Sequence, residues 1–375
     1  MILLRVQRSL VAPGTKRAYH DLITLPANTG SKPIVSHGPP GYSAVSGHTV
    51  TVFGCTGFLG RYLVSKIAKM GTQVIVPYRD EDEARHLKPM GDLGQIVPME
   101  WDIRSDAQIA ECVRHSDIVY NLVGRDYETK NFDFQSVHVA GAEKIAAVSA
   151  QCGVPRLVHV SHLNASASSP SKFYQTKALG EERVKAAFPT ATIIRPGAMY
   201  GFEDKLLNNI AMSPWWWKLN RGQTQIRPVH VLDVAQVLAD LMATPQMSRT
   251  LSLPGPSTLT YEYLLDLVSA VTIRSFHSYA PEVPRGIATA IAKVAQSVWW
   301  PLMSPDEVTR RYLNDSDVPG DWAELGITPT EIEALALMYL RRYRSTDTYT
   351  DPVAFPTRPS LVSILSLVLS AQQSA

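Results

Sequence analysis

From residue 49 onward the chain alternates between two patterns. Short apolar runs at 49–53, 73–76, 96–101, 117–123, 156–160 and 192–195 are separated by stretches in which apolar residues recur every three or four positions. The runs read as strands buried on both faces, and the stretches between them read as amphipathic helices. Six strands alternating with helices predict an α/β fold, a doubly wound Rossmann-type parallel sheet whose ligand sits at the carboxyl ends of the strands. Past Pro254 the period becomes helical, at 261–272, 285–300 and 329–342, with proline-rich loops between. This predicts a smaller, mainly helical C-terminal region. The predicted division is a leader at 1–19, an arm at 20–47, the Rossmann domain at 48–255 and the C-terminal region and tail at 256–375.

The first residues follow another pattern. Arg5, Arg8, Lys16 and Arg17 are interspersed with Leu3, Leu4, Val6, Leu10 and Val11, and the first acidic residue is Asp21. A basic, amphipathic, acid-free start reads as a mitochondrial transit peptide, whereas a frayed tail would leave the missing acids to chance. Residues 29–46 hold Gly30, Pro33, Gly38, Pro39, Pro40 and Gly41 without helical or strand period, and predict an extended arm. No run reaches the roughly 20 apolar residues that span a bilayer, and the longest candidate, 361–371, is interrupted by serines. Any membrane association is therefore expected to be peripheral.

Composition narrows the classes further. Of 375 residues, 45% are hydrophobic and 19% charged, as in folded globular chains. A formal net charge of +2 gives no field for nucleic acid, so no nucleic-acid partner is expected. Cys55, Cys112 and Cys152 are odd in number and set in apolar stretches, which fits neither a disulfide framework nor a metal site.

The candidate chemistry starts where the first strand meets the first helix, in Gly54-Cys55-Thr56-Gly57-Phe58-Leu59-Gly60. Glycines allow the backbone to turn tightly against a pyrophosphate, and the free amides of the helix N-terminus attract its charge. The second strand ends in Tyr78-Arg79, where an enzyme using NAD would place a carboxylate for the ribose 2′-hydroxyl. Arg79 suits a 2′-phosphate instead, so NADP(H) is expected over NAD(H), with Arg61 as a second candidate for that phosphate. Asp102 and Ile103 close the third strand, where adenine is covered. Leu122, Val123 and Gly124 follow Asn121 at the end of the fourth, where backbone lines the cofactor. Asp233, in 228–235, reads as a helix N-cap.

These features resemble the short-chain dehydrogenase/reductase superfamily, in its extended or atypical branch, over about residues 48–260, including Arg195-Pro196. The resemblance places Ser161, Lys177 and Pro196 with the cofactor. It also implies a catalytic tyrosine four residues before the lysine that holds the nicotinamide ribose. Counting back from Lys177, that position is Phe173. Tyr174 is adjacent, but one step along a helix turns a side chain by about 100°. Leu163 stands where the hydroxyl of Ser161-His162-Leu163 is expected, so no catalytic residue is assigned.

A narrower resemblance lies in the segments 41–47, 89–95, 124–134 and 159–165. They are similar to the family of NADPH-binding accessory subunits of mitochondrial respiratory complex I. This implies a non-catalytic subunit holding NADPH, contacting other complex I subunits on the matrix side of the inner membrane near the quinone site. The competing readings are an active NADP(H)-dependent reductase or epimerase of the matrix, and a sensor of the nucleotide's redox state. Two stretches, 214–217 with three tryptophans and 286–303, read either as core or as surface for a partner or a lipid headgroup layer.

Overall fold

A computed structural model describes residues 21–24, 34–37, 46–212, 218–244, 248–274, 281–298 and 303–358. The expected leader, the aromatic run 214–217 and the stretch 361–371 lie outside the described residues. Within the expected arm, Asp21–Thr24 pairs antiparallel with Ile34–His37. The arm thus contains strand after all, and the second partner includes the β-branched pair Ile34-Val35.

Seven strands form one parallel sheet: β1 (Thr49–Phe53), β2 (Gln73–Tyr78), β3 (Ile96–Glu100), β4 (Ile118–Asn121), β5 (Arg156–Val160), β6 (Thr192–Pro196) and β7 (Thr250–Leu253). Their order across the sheet is β7-β6-β5-β4-β1-β2-β3, so the direction of winding reverses between β1 and β4. That is where a doubly wound sheet opens a crevice. The pattern predicted six strands. The seventh, β7, buries only alternate residues and runs beside β6 as an edge, so it lacks the continuous apolar run that marked the others.

Helices α1 (Phe58–Lys69), α2 (Asp106–Val113), α3 (Gly141–Gln151), α4 (Lys172–Ala187) and α5 (Val231–Ala243) cover the sheet. On one face Val50 and Val52 pack with Leu63, Ile67, Val234 and Leu238 of α1 and α5. On the other Phe53 and Val119 pack with Ile109, Ile145 and Val184 of α2, α3 and α4. A strand with helices on both faces has no wet side, which explains the unbroken apolar runs.

The C-terminal region adds α6 (Tyr261–Thr272), α7 (Arg285–Val298), α8 (Pro305–Arg310) and α9 (Ile332–Leu340). Leu264, Val268 and Val271 of α6 meet Ala336 and Leu340 of α9 and Leu207 and Ile210 of the short helix Leu206–Met212 in a second core. Buried hydrogen bonds brace the two cores, and the first of them runs between the start of α5 and α9. His230 Nε2 lies 2.8 Å from the Tyr339 hydroxyl, Tyr200 donates to the Thr330 carbonyl at 2.9 Å, and Trp322 Nε1 donates to the Pro254 carbonyl at 2.8 Å. The N-cap of α5 is His230, in extended conformation, and not Asp233, which sits within the first turn. The Asp233 carboxylate accepts instead from the Thr330 amide at 2.7 Å, tying α5 to the segment before α9. Among the described residues, no helix is long and apolar enough to cross a membrane.

Replacing Tyr339 by phenylalanine leaves His230 Nε2 buried without this partner. The expected loss is about 1–3 kcal/mol of unfolding free energy, the usual cost of stranding a buried polar atom. Denaturant titration reads it, and an unchanged midpoint would show that this bond does not hold the two cores together.

Candidate functional site

At the end of β1 the backbone of Gly54 has φ +81°, and a Cβ there would stand 3.0 Å from the Leu122 carbonyl carbon. At Gly60 it would stand 2.3 Å from the Gly54 carbonyl oxygen, so the helix rests directly on the turn. Gly57 differs. A Cβ there would press only on the Gly54 carbonyl oxygen, at 3.2 Å, and meet nothing else within 4 Å. Gly57 is also the N-cap of α1 and provides no side-chain cap, which leaves the first helical amides available to an anion. Leu59 is buried in the core, and Phe58 packs edge-on against Tyr62, so both offer the site their backbone. Thr56 presents its carbonyl to Arg61 Nη2 at 3.2 Å.

The ends of β2 and β3 form the next wall. Arg79 is exposed, and the adjacent acid, Asp80, is already engaged because its carboxylate accepts from the Asp82 amide at 3.0 Å. Arg61 is ion-paired with Glu203. Asp102 accepts from the Arg104 amide at 2.8 Å. Ile103 lies against Gly141, where an added Cβ would stand 2.3 Å from its Cδ1.

Beyond β4, Asn121 accepts from the Val123 amide at 3.1 Å and shapes the Leu122-Val123-Gly124 turn. Gly124 lies beside Lys177, since its Cβ would stand 3.2 Å from Nζ. Lys177 is buried on α4 and donates to the Val160 carbonyl at 3.3 Å. Burial brings its pKa down to about 8, against the pull of Asp126 and Glu181. The Ser161 hydroxyl is buried with no partner among the described residues, as are both ring nitrogens of His159. Pro196 closes β6, and its carbonyl accepts from the Leu163 amide at 2.9 Å. An ammonium with three donors and an unpaired hydroxyl beside an open glycine cradle fit the ribose and pyrophosphate of a dinucleotide.

Three histidines frame the ammonium and stay neutral. Burial and then Lys177 lower His159 to about 3. Burial, with Arg310 and Lys177, lowers His162 to about 3. Burial and Lys177 also hold His138 well below its ordinary value. His138 Nε2 accepts from the Arg125 amide at 3.1 Å, which puts its proton on Nδ1, 3.1 Å from the Thr176 hydroxyl.

The aromatic pair on α4 divides as its helical spacing requires. The ring of Phe173 is the one near Lys177, 6.0 Å from Nζ, with the Arg310 guanidinium 4.5 Å from its centroid. Tyr174 lies against the His162 ring at 4.9 Å and interacts with Asn164. The C-terminal region closes over this end. Asp306 accepts from the Ser171 hydroxyl at 2.8 Å and the Lys172 amide at 2.9 Å. Asn164 donates to Asp315 at 2.7 Å, and Arg310 donates to the Asp126 carbonyl at 3.2 Å. Lys205 pairs with Asp126 at 2.8 Å while Glu203 pairs with Arg61, so the loop carrying both reaches from the glycine-loop helix to the turn after β4.

Sequence reasoning missed His138, His159, Asp126, Arg310 and Glu203. His138, Asp126, Arg310 and Glu203 act through partners distant in the chain and His159 through burial beside Lys177, and the only local signals were the segments 124–134 and 159–165. A small cavity lined by Ile210, Leu219, Tyr261, Leu265 and Arg311 lies in the C-terminal region and includes none of the predicted site residues. Among the described residues no cluster of histidine, cysteine, aspartate and glutamate could hold a metal.

Residues 54–245 match the NAD(P)H-binding family. The chain is 43% identical over 327 residues to the mitochondrial NADH-ubiquinone oxidoreductase 40 kDa subunit of Neurospora crassa, covering 86% of each chain. It is 41% identical over 322 residues to NADH dehydrogenase [ubiquinone] 1 alpha subcomplex subunit 9, mitochondrial, of Rattus norvegicus, covering 83% of this chain and 85% of that one. Among solved structures, dTDP-glucose 4,6-dehydratase from Streptomyces venezuelae superposes with a TM-score of 0.61 at 17% identity, over 82% of this chain and all of that one. That likeness is one of fold.

The lowered pKa of Lys177 has a consequence for stability. The folded chain carries this charge at a cost at neutral pH. The cost is relieved as pH rises from about 8 towards the ordinary value of 10.5, where the unfolded state still holds the proton. Lys177→Met is expected to stabilise the nucleotide-free chain by up to about 3 kcal/mol at neutral pH. It should also flatten the gain in stability over that alkaline range, and denaturant titrations across pH test both effects. A variant no more stable than the wild type would mean that the ammonium is well solvated.

Proposed function

Because the chain belongs to the family of the mitochondrial 40 kDa, or alpha subcomplex 9, subunit of NADH-ubiquinone oxidoreductase, we propose that it is an accessory subunit of respiratory complex I which holds NADPH without turning it over. The observation that carries the second half is the position of Phe173. A general acid must stand within hydrogen-bond reach of the proton it moves, and the ring beside Lys177 has none to give. The neighbouring phenol of Tyr174 is engaged with Asn164, and burial raises its pKa, which keeps it protonated.

The nucleotide is read from its walls. Gly57 and the uncapped amides of α1 suit a pyrophosphate, Lys177 and Ser161 suit the nicotinamide ribose, and Arg79 suits a 2′-phosphate. Thr56, Phe58, Leu59, Leu122, Val123, Gly124 and Pro196 contribute backbone around it, and Asp102 and Ile103 cover the adenine. A carboxylate at Tyr78 or Arg79 would favour NADH, and Asp80 is already committed to capping. Bound nucleotide stabilises the fold by mass action, and that coupling is its role in assembling the matrix arm of the complex near the quinone site. The acid-free basic start of the chain supports delivery to the matrix side of the inner membrane.

Arg79→Ala is expected to weaken NADPH by about 10-fold to 100-fold, from the loss of a charge-assisted bond, and to change NADH little. Paired titrations of the two nucleotides decide this. An equal loss for both would remove the case for the phosphate.

The purified wild type, with NADPH binding confirmed by fluorescence, is expected to show no turnover with carbonyl or alcohol substrates. Phe173→Tyr restores a phenol beside Lys177, and general acid catalysis is worth about 10²–10⁴ in rate. Activity confined to the variant would identify the missing proton relay, whereas robust turnover by the wild type would favour a matrix reductase.

A further inference from the structure

Helix α7 carries its larger apolar residues outward. Ala288 and Ala292 are 2% and 5% exposed against Val308 of α8, while Ile287, Ile291 and Val294 are 56%, 45% and 66% exposed. The three outward residues fall at i, i+4 and i+7 and so share one face, with exposed Ala290 beside them. The orientation is fixed from the inner side. Gln296 donates to the Glu128 carbonyl at 3.2 Å, and the Arg285 guanidinium stands 5.6 Å from the centre of the Tyr312 ring. Burial within this chain would favour the isoleucines inward and the alanines outward, so the outer face is suited to a second, external apolar medium.

The helix has two cations, Arg285 and exposed Lys293, and no acid, and Glu282 just before it is paired with Arg221 at 3.5 Å. Among the described residues its outward face has no aromatic anchor, and the Thr289 hydroxyl donates back to the Gly286 carbonyl at 2.9 Å. Protein interfaces draw on aromatic residues and hydrogen bonds. A lipid headgroup layer needs only an apolar stripe with positive charge at its margin. We infer that the outward face of α7 docks on an anionic lipid bilayer, with Ile287, Ile291 and Val294 at the boundary of headgroup and acyl chain and Lys293 among the phosphates.

The test is co-sedimentation of the full chain with phosphatidylcholine vesicles, with and without cardiolipin. The wild type is expected to bind the cardiolipin vesicles about tenfold more tightly than the neutral ones, since each cation near an anionic surface adds appreciably to affinity, and to be released by high salt. Ile291→Glu with Val294→Glu should abolish most of that binding while leaving NADPH binding and thermal unfolding unchanged. Leu93→Glu, at a still more exposed apolar site elsewhere, should have no effect. Wild type that stays in the supernatant with both vesicle types would overturn the inference, as would a double variant that sediments like the wild type. If the wild type ignores vesicles and the double variant still fails to join the respiratory complex, the face belongs to a protein subunit and the lipid assignment is wrong. The vesicle assay uses the isolated chain, so its outcome does not depend on assembly or on the nucleotide reading.

Discussion

The site depends on how closely two strand ends can approach each other. Gly54 turns with φ +81°, and any side chain there would press on the Leu122 carbonyl group. Because β1 and β4 flank the reversal of winding, their contact sets the width of the crevice, and α1 starts from its floor with its amides uncapped. Gly60 then lets α1 lie on the turn itself, which aims the helix N-terminus into the crevice. Steric demand at Gly54 and Gly60 and the uncapped helix start at Gly57 make a shape suited to an anion before any charged side chain is considered.

The other end of the crevice is governed by one buried ammonium. Lys177 lies where α4 passes Gly124 and the end of β5, and its field helps to keep His138, His159 and His162 neutral. A neutral His138 can accept from the Arg125 amide, so the charge on Lys177 indirectly settles the turn after β4. Asp126 belongs to the same network. Burial works to raise its pKa, but Lys205 and Arg310 hold it below the ordinary carboxylate value, so it remains an anion bridging the domain and the C-terminal region. This electrostatic arrangement locates the turn after β4 and the cover over it.

The features legible in the sequence were those whose signal is local. Strands buried on both faces gave unbroken apolar runs, and the glycine loop could be placed because a strand precedes it and a helix follows. Phe173 could be separated from Tyr174 by helical geometry alone. β7 escaped because an edge strand buries only every other residue, and Asp233 was taken for a cap because its position relative to the helix start depends on His230 adopting extended backbone. Arg61 looked free in the sequence, yet Glu203 lies 142 residues away in the chain and meets it only once the fold has formed. His159 and His162 lay in a segment the resemblance marked, but their neutrality was not legible there, because neutrality is a property of burial.

On the proposed reading, the cover over Phe173 is what lets the fold hold a nucleotide without turning it over. In a turning-over enzyme the space beside the nicotinamide must admit and release a substrate. Here the Arg310 guanidinium stacks on Phe173, Asp306 fastens α8 to the first turn of α4, and Asp315 fastens the following loop to Asn164. These contacts lie at the Phe173 and Lys177 end of the crevice, while the glycine loop and the end of β2 lie at the other end. Through these contacts the C-terminal region covers the Phe173 end of the crevice. The same contacts fix α7 in place, because α7 packs on α8 through Ala288, Ala292 and Val308. Covering Phe173 and presenting the outward apolar face are two results of one packing arrangement, so strain introduced at Asp306 should be transmitted to both.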